Sequence, residues 1–168
     1  MIAFSNAYTY FEERNTCLLG LSIDSNPSHL AWMYDIYCRT GMKVPFPIIA
    51  DRNGNIARKY GMISNSVDNT ATVRNVYIID DKGLIRAILI YPMEIGRFIP
   101  EIVRIIDAIQ FHDRNNMLTS ANWKCGDAGI MPIPQNYSEL QKRVEWLQEN
   151  GNGMSWYLGF GNSEDRKK

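Results

Sequence analysis

Cysteine is scarce in this sequence. Its 168 residues hold only Cys17, Cys38 and Cys125, with no CxxC pair and no metal-ligand spacing. That excludes a disulfide framework and a zinc motif, and it suits a reducing compartment, so a cytoplasmic location is expected. Net charge is lacking too: 18 basic residues balance 18 acidic ones. The longest block of one sign is the tail Arg166, Lys167, Lys168, which argues against nucleic acid or a membrane surface as partner. Long apolar runs are also missing. The longest, "LIRAILIYPM", is too short to span a bilayer and is broken by Arg86. Met1 runs straight into an amphipathic pattern with no basic lead, so no signal peptide is expected. Phosphate loop, serine-type triad, internal repeat and low-complexity tract are all absent, and neither cofactor nor metal is expected.

What is there reads as an ordinary globular protein, 45% hydrophobic and 21% charged. "MIAFSNAYTYFEERN" repeats apolar residues at helical spacing, so residues 1 to 14 are expected to be a helix. No capping residue precedes it. Residues 17 to 23 read as a nearly continuous apolar strand, the pattern of a sheet covered on both faces. "NPSHLAWMYDIYCRTG" reads as a helix capped by Asn26 or Ser28 and stopped at Gly41. "VPFPIIAD" is a short strand, "NGNIARKYGM" a short helix ending near Gly61, and "ISNSVDNTAT" a polar loop.

"VRNVYIID" and "LIRAILIYP" flank "DKG", a hairpin in which Gly83 supplies the positive φ. The longest helix follows, with Ile95, Phe98, Ile99, Ile102, Ile105, Ile106 and Ile109 on one stripe. Pro100 is tolerable there only if the helix starts near Phe98. From residue 113 the chain turns loop-like, then offers a short helix capped by Ser138 and a Gly-rich aromatic tail. The order predicts an α/β fold, a mixed sheet flanked by helices. It is divided as a core over 1–112 and a C-terminal arm over 113–168. This is most of a thioredoxin-like fold without its N-terminal hairpin and central strand.

Four blocks in order, "LLGLSIDSNPSHLAW", "VPFPIIADRNGNIARKYGM", "TVRNVYIIDDKGLIRAILIYPMEIGR" and "ANWKCGD", resemble the peroxiredoxins of the one-cysteine type that carry a C-terminal arm. The resemblance covers roughly residues 1 to 135. It implies thiol-dependent (or selenol-dependent) reduction of hydrogen peroxide and alkyl hydroperoxides, an antioxidant activity. It also implies an outside thiol as reductant (thioredoxin, glutaredoxin or a small thiol) and a homodimer or ring of dimers. The family's nucleophile stands in a P-V-C-T-T-E motif at the start of the first long helix. On that alignment it is expected upstream of Met1, as Cys or as a selenocysteine whose UGA codon reads as a stop, and this chain alone is expected to be inactive.

The resemblance also assigns residues. Arg74 in "TVRNVY" matches the arginine that holds the thiolate and the departing peroxide oxygen; from residue type alone it reads as a salt-bridging strand-start arginine. His29 is expected to be a helix-surface or packing residue, Asp24 and Ser25 a loop cap for the next helix, and Glu94 with Arg97 a structural or interface pair. None of the cysteines takes the peroxidatic position. Cys17 is expected to open a buried strand, Cys38 to lie on a helix, and Cys125 to be the most solvent-reactive. Related members carry a C-x-D-W-W-F-C segment in the arm, where this chain has "GMSWYLG", so Gly153 and Gly159 replace the two thiols. The alternative to an enzyme is a non-catalytic remnant acting as an oligomerisation or binding module. A different thioredoxin-like oxidoreductase is disfavoured by the absent CxxC.

Overall fold

The computed structural model describes residues 1–63 and 74–162, which fall into two compact units, Met1–Val103 and Arg104–Lys168. All but Ile63 of the expected polar loop "ISNSVDNTAT" lies outside the described residues.

In the first unit the expected N-terminal helix is two short ones, α1 (Ile2–Asn6) and α2 (Tyr8–Glu12), broken at Ala7, whose φ of −97° and ψ of 6° leave the helical region. Neither proline nor glycine marks that break, so residue type gave no sign of it. Strand β1 (Gly20–Ser22) is shorter than its apolar run and half-buried. Its three residues pair in parallel with those of the next strand, and Leu19 and Cys17 lie exposed ahead of it. The reading of Cys17 at the head of a buried strand is therefore corrected.

Helix α3 (Asn26–Thr40) is capped by Ser25, whose hydroxyl accepts the Ser28 N–H at 3.3 Å, and is closed by Gly41 in the left-handed conformation. The cap sits one residue earlier than Asn26 because Pro27, with its fixed φ, belongs to the first turn. Strand β2 (Ile48–Ala50) leads to the buried Asp51, whose carboxylate accepts the Ile56 and Ala57 N–H groups at 3.1 and 2.7 Å and so opens α4 (Asn55–Lys59).

The hairpin forms as expected, from β3 (Arg74–Ile79) and β4 (Ile85–Tyr91), antiparallel with Arg74 opposite Tyr91. Gly83 has a φ of 77° in its turn. Parallel and antiparallel pairing both occur, but in separate ladders: β1–β2 is one two-stranded sheet and β3–β4 another. The core of this unit includes Phe11, Ile36, Phe46, Ala57, Ile63 and Ile102.

Helix α5 (Ile99–Asn115) runs from the first unit into the second, with Pro100 in its first turn. Ile102 and Ile106 are buried, whereas Ile95 and Phe98 precede the helix and are exposed, so the apolar stripe is shorter than its spacing suggested. The second unit then builds β5 (Gly129–Ile130), α6 (Tyr137–Asn150), β6 (Gly153–Ser155) and β7 (Leu158–Gly161), with strand order β5–β7–β6. Helix α6 is capped by Asn136 rather than Ser138: the Asn136 side chain accepts the Glu139 N–H at 2.9 Å and donates to the Glu139 carboxylate at 2.7 Å.

The Gly-rich tail is thus a sheet. Gly129 and Gly153 stand where a side chain does not fit. A Cβ on Gly129 would lie 2.6 Å from the Phe111 ring. Trp123, fully buried like Met117, packs at a tilt against Phe111 with ring centroids 5.1 Å apart and donates its indole N–H to the Asp127 carbonyl at 3.1 Å.

Candidate active site

The candidate site lies in the first unit, where the start of β3 meets the segment after β4. Arg74 opens β3 and Tyr91 closes β4 directly opposite it. Beyond Tyr91 the chain turns at Pro92–Ile95, with the Ile95 N–H donating to the Pro92 carbonyl at 3.2 Å. This folds Arg97 back towards the strand it has just left.

The two arginines hold the junction reciprocally. Arg74 donates to the Ile95 carbonyl at 3.4 Å, and Arg97 donates to the Asn75 carbonyl at 3.3 Å. The Arg97 pKa is lowered, first by desolvation and then by the Arg74 guanidinium, with Tyr91 acting in the opposite sense. Two guanidinium groups therefore share one neighbourhood. Arginine keeps its charge at any physiological pH and presents a planar fork of donors. Such a cluster is chemically suited to hold a thiolate or an oxygen on which negative charge develops.

Sequence reasoning placed Arg74 but read Arg97 as the partner of Glu94. The structure instead turns Arg97 to the Asn75 carbonyl, 22 residues away in the chain. Only the hairpin register and the turn after β4 bring the two together, and no local spacing encodes that. Ser25 caps α3, and Asp24 accepts the Ser22 hydroxyl. His29 is buried on α3 as a packing residue, with no hydrogen-bond partner on either ring nitrogen among the described residues.

The three cysteines are all free and exposed. Cys17 precedes β1, Cys38 lies within α3, and Cys125 sits in the turn in which the Asp127 N–H donates to the Lys124 carbonyl at 3.0 Å. None of them opens a helix, the position that lowers a thiol pKa most directly. Among the described residues no group of three His, Cys, Asp or Glu side chains is placed to hold a metal, and no helix is long and apolar enough to cross a membrane.

The sequence matches the AhpC/TSA family over residues 1–88. It is 53% identical to a protein named Peroxiredoxin 2 from Caldanaerobacter subterraneus subsp. tengcongensis, over 95% of this chain and 72% of that protein. It is 42% identical to a peroxiredoxin of Aquifex aeolicus, over 94% of this chain and 74% of the relative. Among solved structures, a yeast mitochondrial 1-Cys peroxiredoxin superposes with a TM-score of 0.76 at 33% identity, over 94% of this chain and 76% of that one. A 2-Cys peroxiredoxin of Plasmodium vivax does so with a TM-score of 0.69, also at 33% identity, over 78% of this chain and 67% of that one. The fold is thus the thioredoxin-like α/β fold of those neighbours, peroxidase chemistry is the activity that goes with it, and the chain belongs to the AhpC/TSA family, the peroxiredoxins.

Proposed function

We propose that this chain supplies the cation side of a peroxide-reducing site, with Arg74 stabilising both the attacking thiolate (or selenolate) and the departing oxygen, and Arg97 beside it. The observation that carries this reading is the pair of arginines brought together across the hairpin. In the reaction, sulfur forms a bond to the terminal peroxide oxygen and the O–O bond breaks. The departing oxygen takes a proton and leaves as alcohol or water. Sulfur is oxidised to a sulfenic acid while the peroxide is reduced. The negative charge moves from sulfur to oxygen during that step, which is where fixed guanidinium donors act.

An outside thiol then condenses with the sulfenic acid with loss of water, and a second thiol reduces the resulting disulfide. An external reductant fits the arm. Gly153 and Gly159 face each other across β6 and β7, and a Cβ on Gly153 would come within 2.7 Å of the Leu158 carbonyl, so no thiol pair stands there. The yeast relative is described with glutathione and thioredoxin systems, and we assign a reductant of that class here. Free, exposed cysteines suit a reducing compartment, and we place the protein in the cytoplasm. We read residues 1–112 as the peroxidase core and 113–168 as its arm.

Two measurements test this. Inorganic sulfate, as a stand-in oxyanion, is expected to bind the chain and to lose that binding in Arg74→Ala; equal affinity in the variant would overturn the reading. Peroxide consumption with dithiothreitol is expected to stay at the level of free thiols, because none of the three cysteines opens a helix. Turnover abolished by Cys125→Ser would make Cys125 the nucleophile instead.

A second reading, an assembly module, is favoured by the β4 edge. Among the described residues β4 pairs only with β3, and Ile88 and Ile90 are exposed on one face. An unpaired apolar edge pairs readily with a second copy across a two-fold axis. Light scattering at micromolar concentration is expected to give a dimer, and Ile90→Lys a monomer. A monomeric parent chain would count against this assignment.

A further inference from the structure

The geometry points to Tyr77 and Asn75 as positioning residues that hold the Arg74–Arg97 pair in place. This rests on the reading of that pair given above. Among the described residues strand β3 has a sheet neighbour on one side only, β4. Its first residues must nevertheless be fixed, because Arg74 is the first of them and the carbonyl that Arg97 grips belongs to the second. A side-chain relay ties them to the end of α4. The Tyr77 hydroxyl donates to the carbonyl of Tyr60, the residue that ends α4, and the two rings meet edge to face at 5.2 Å. The Asn75 amide donates to the Tyr77 oxygen at 3.2 Å, and the Asn75 carbonyl accepts Arg97.

Chemistry dictates the direction of this relay. A carbonyl only accepts, so the single phenol proton of Tyr77 is committed to Tyr60. The group that meets the phenol oxygen from Asn75 must then be its NH₂, which settles an amide orientation that heavy-atom positions alone leave open. That orientation leaves the Asn75 Oδ1 buried with no hydrogen-bond partner among the described residues. A buried acceptor without a donor is a liability for stability. Asn75 therefore costs stability where it stands, and its contribution is the anchoring of the carbonyl that Arg97 uses. Tyr77 acts through Asn75, and neither side chain is placed on the reacting atoms.

The test titrates inorganic sulfate into the full chain, following the arginine Nε–H signals by NMR, with the melting temperature of each variant measured alongside. Tyr77→Phe keeps the ring and removes only the hydroxyl. Asn75→Ala removes both the amide donor and the orphan acceptor. Each is expected to weaken sulfate binding about fivefold, the worth of one neutral hydrogen bond. Asn75→Ala is expected to melt at the same temperature as the parent or higher, which a purely structural side chain would not show. Unchanged affinity in both variants, with binding still lost in Arg74→Ala, would overturn the positioning role and leave the cation pair standing. A loss of affinity that tracks a fall in melting temperature in both variants would also overturn it, in favour of simple packing. Sulfate binding that Arg74→Ala leaves intact, or none in the parent, would overturn the reading of the pair itself.

Discussion

The first unit holds Arg74 and Arg97 close enough for one charge to disfavour the other, while the second unit holds Arg143 with no such neighbour among the described residues. Arg143 donates to the carbonyls of Pro132 at 3.0 Å and Trp156 at 3.4 Å, and only burial lowers its pKa. All three residues grip main-chain carbonyls, yet the outcomes differ. A lone guanidinium on two carbonyls clips α6 to the β6–β7 hairpin and satisfies backbone acceptors. Two guanidiniums tied to each other's neighbourhoods concentrate positive charge instead. A further contrast is Arg86, which meets a carboxylate, Asp80, at 3.3 Å and is neutralised there. What sets the Arg74–Arg97 pair apart is the company of another cation, not its carbonyl bonds.

That comparison is open to attack at several strengths. The largest effect is expected from Trp123→Ala in the second unit. Emptying the space of a fully buried indole should lower unfolding stability by about 3–5 kcal/mol in urea titrations. Sulfate binding by the folded protein should persist, since the cation pair lies in the first unit; loss of binding by folded Trp123→Ala would break the separation of chemistry from packing. Arg143→Ala comes next. Withdrawing the charged donor from two carbonyls is expected to lower stability by about 1.5–3 kcal/mol, again without touching sulfate affinity. Reduced sulfate affinity there would place Arg143 in the same class as Arg74.

The smallest effect is expected from Asp80→Asn, and it depends on pH. The pKa of Asp80 is lowered chiefly by the Leu84 N–H, with Arg86 and the Lys82 N–H adding to it against a desolvation cost. A carboxyl held below its unfolded value of about 3.9 contributes stability above that pH and loses it as pH falls through the folded pKa. Asp80→Asn should therefore melt earlier than the parent at pH 7, with the gap closing in acid. A gap that stays constant below pH 4 would show that charge is not what holds this turn.

Much of the first unit was legible because its signals are local. The Asp80–Gly83 turn sits between alternating apolar runs, Gly41 stops α3, and Pro100 fixes where α5 begins. The errors came where a residue's role depends on a distant partner. Leu19 and Cys17 look like a buried strand until β1 is seen to pair over only three residues. Ala7 breaks a helix that composition would continue. In the second unit, strands of two to four residues built on Gly129, Gly153, Gly159 and Gly161 carry no alternation to read. Gly129 and Gly153 mark crowding, by Phe111, Met117 and Leu147, which becomes visible only once those side chains are in place.

For the candidate site the division is sharper. By itself the sequence determined the family blocks, the hairpin and Arg74 at its head, since each rests on residue type and short spacing. The tertiary structure alone decided that Arg97 joins Arg74, that Asn75 and Tyr77 stand behind them, and that Arg143 is a clip. The reason is physical. A guanidinium reaches several ångströms on a flexible stem and takes whichever carbonyl or carboxylate the fold brings near, so its role is set by through-space neighbours far off in the chain, as Asn75 is from Arg97, 22 residues away.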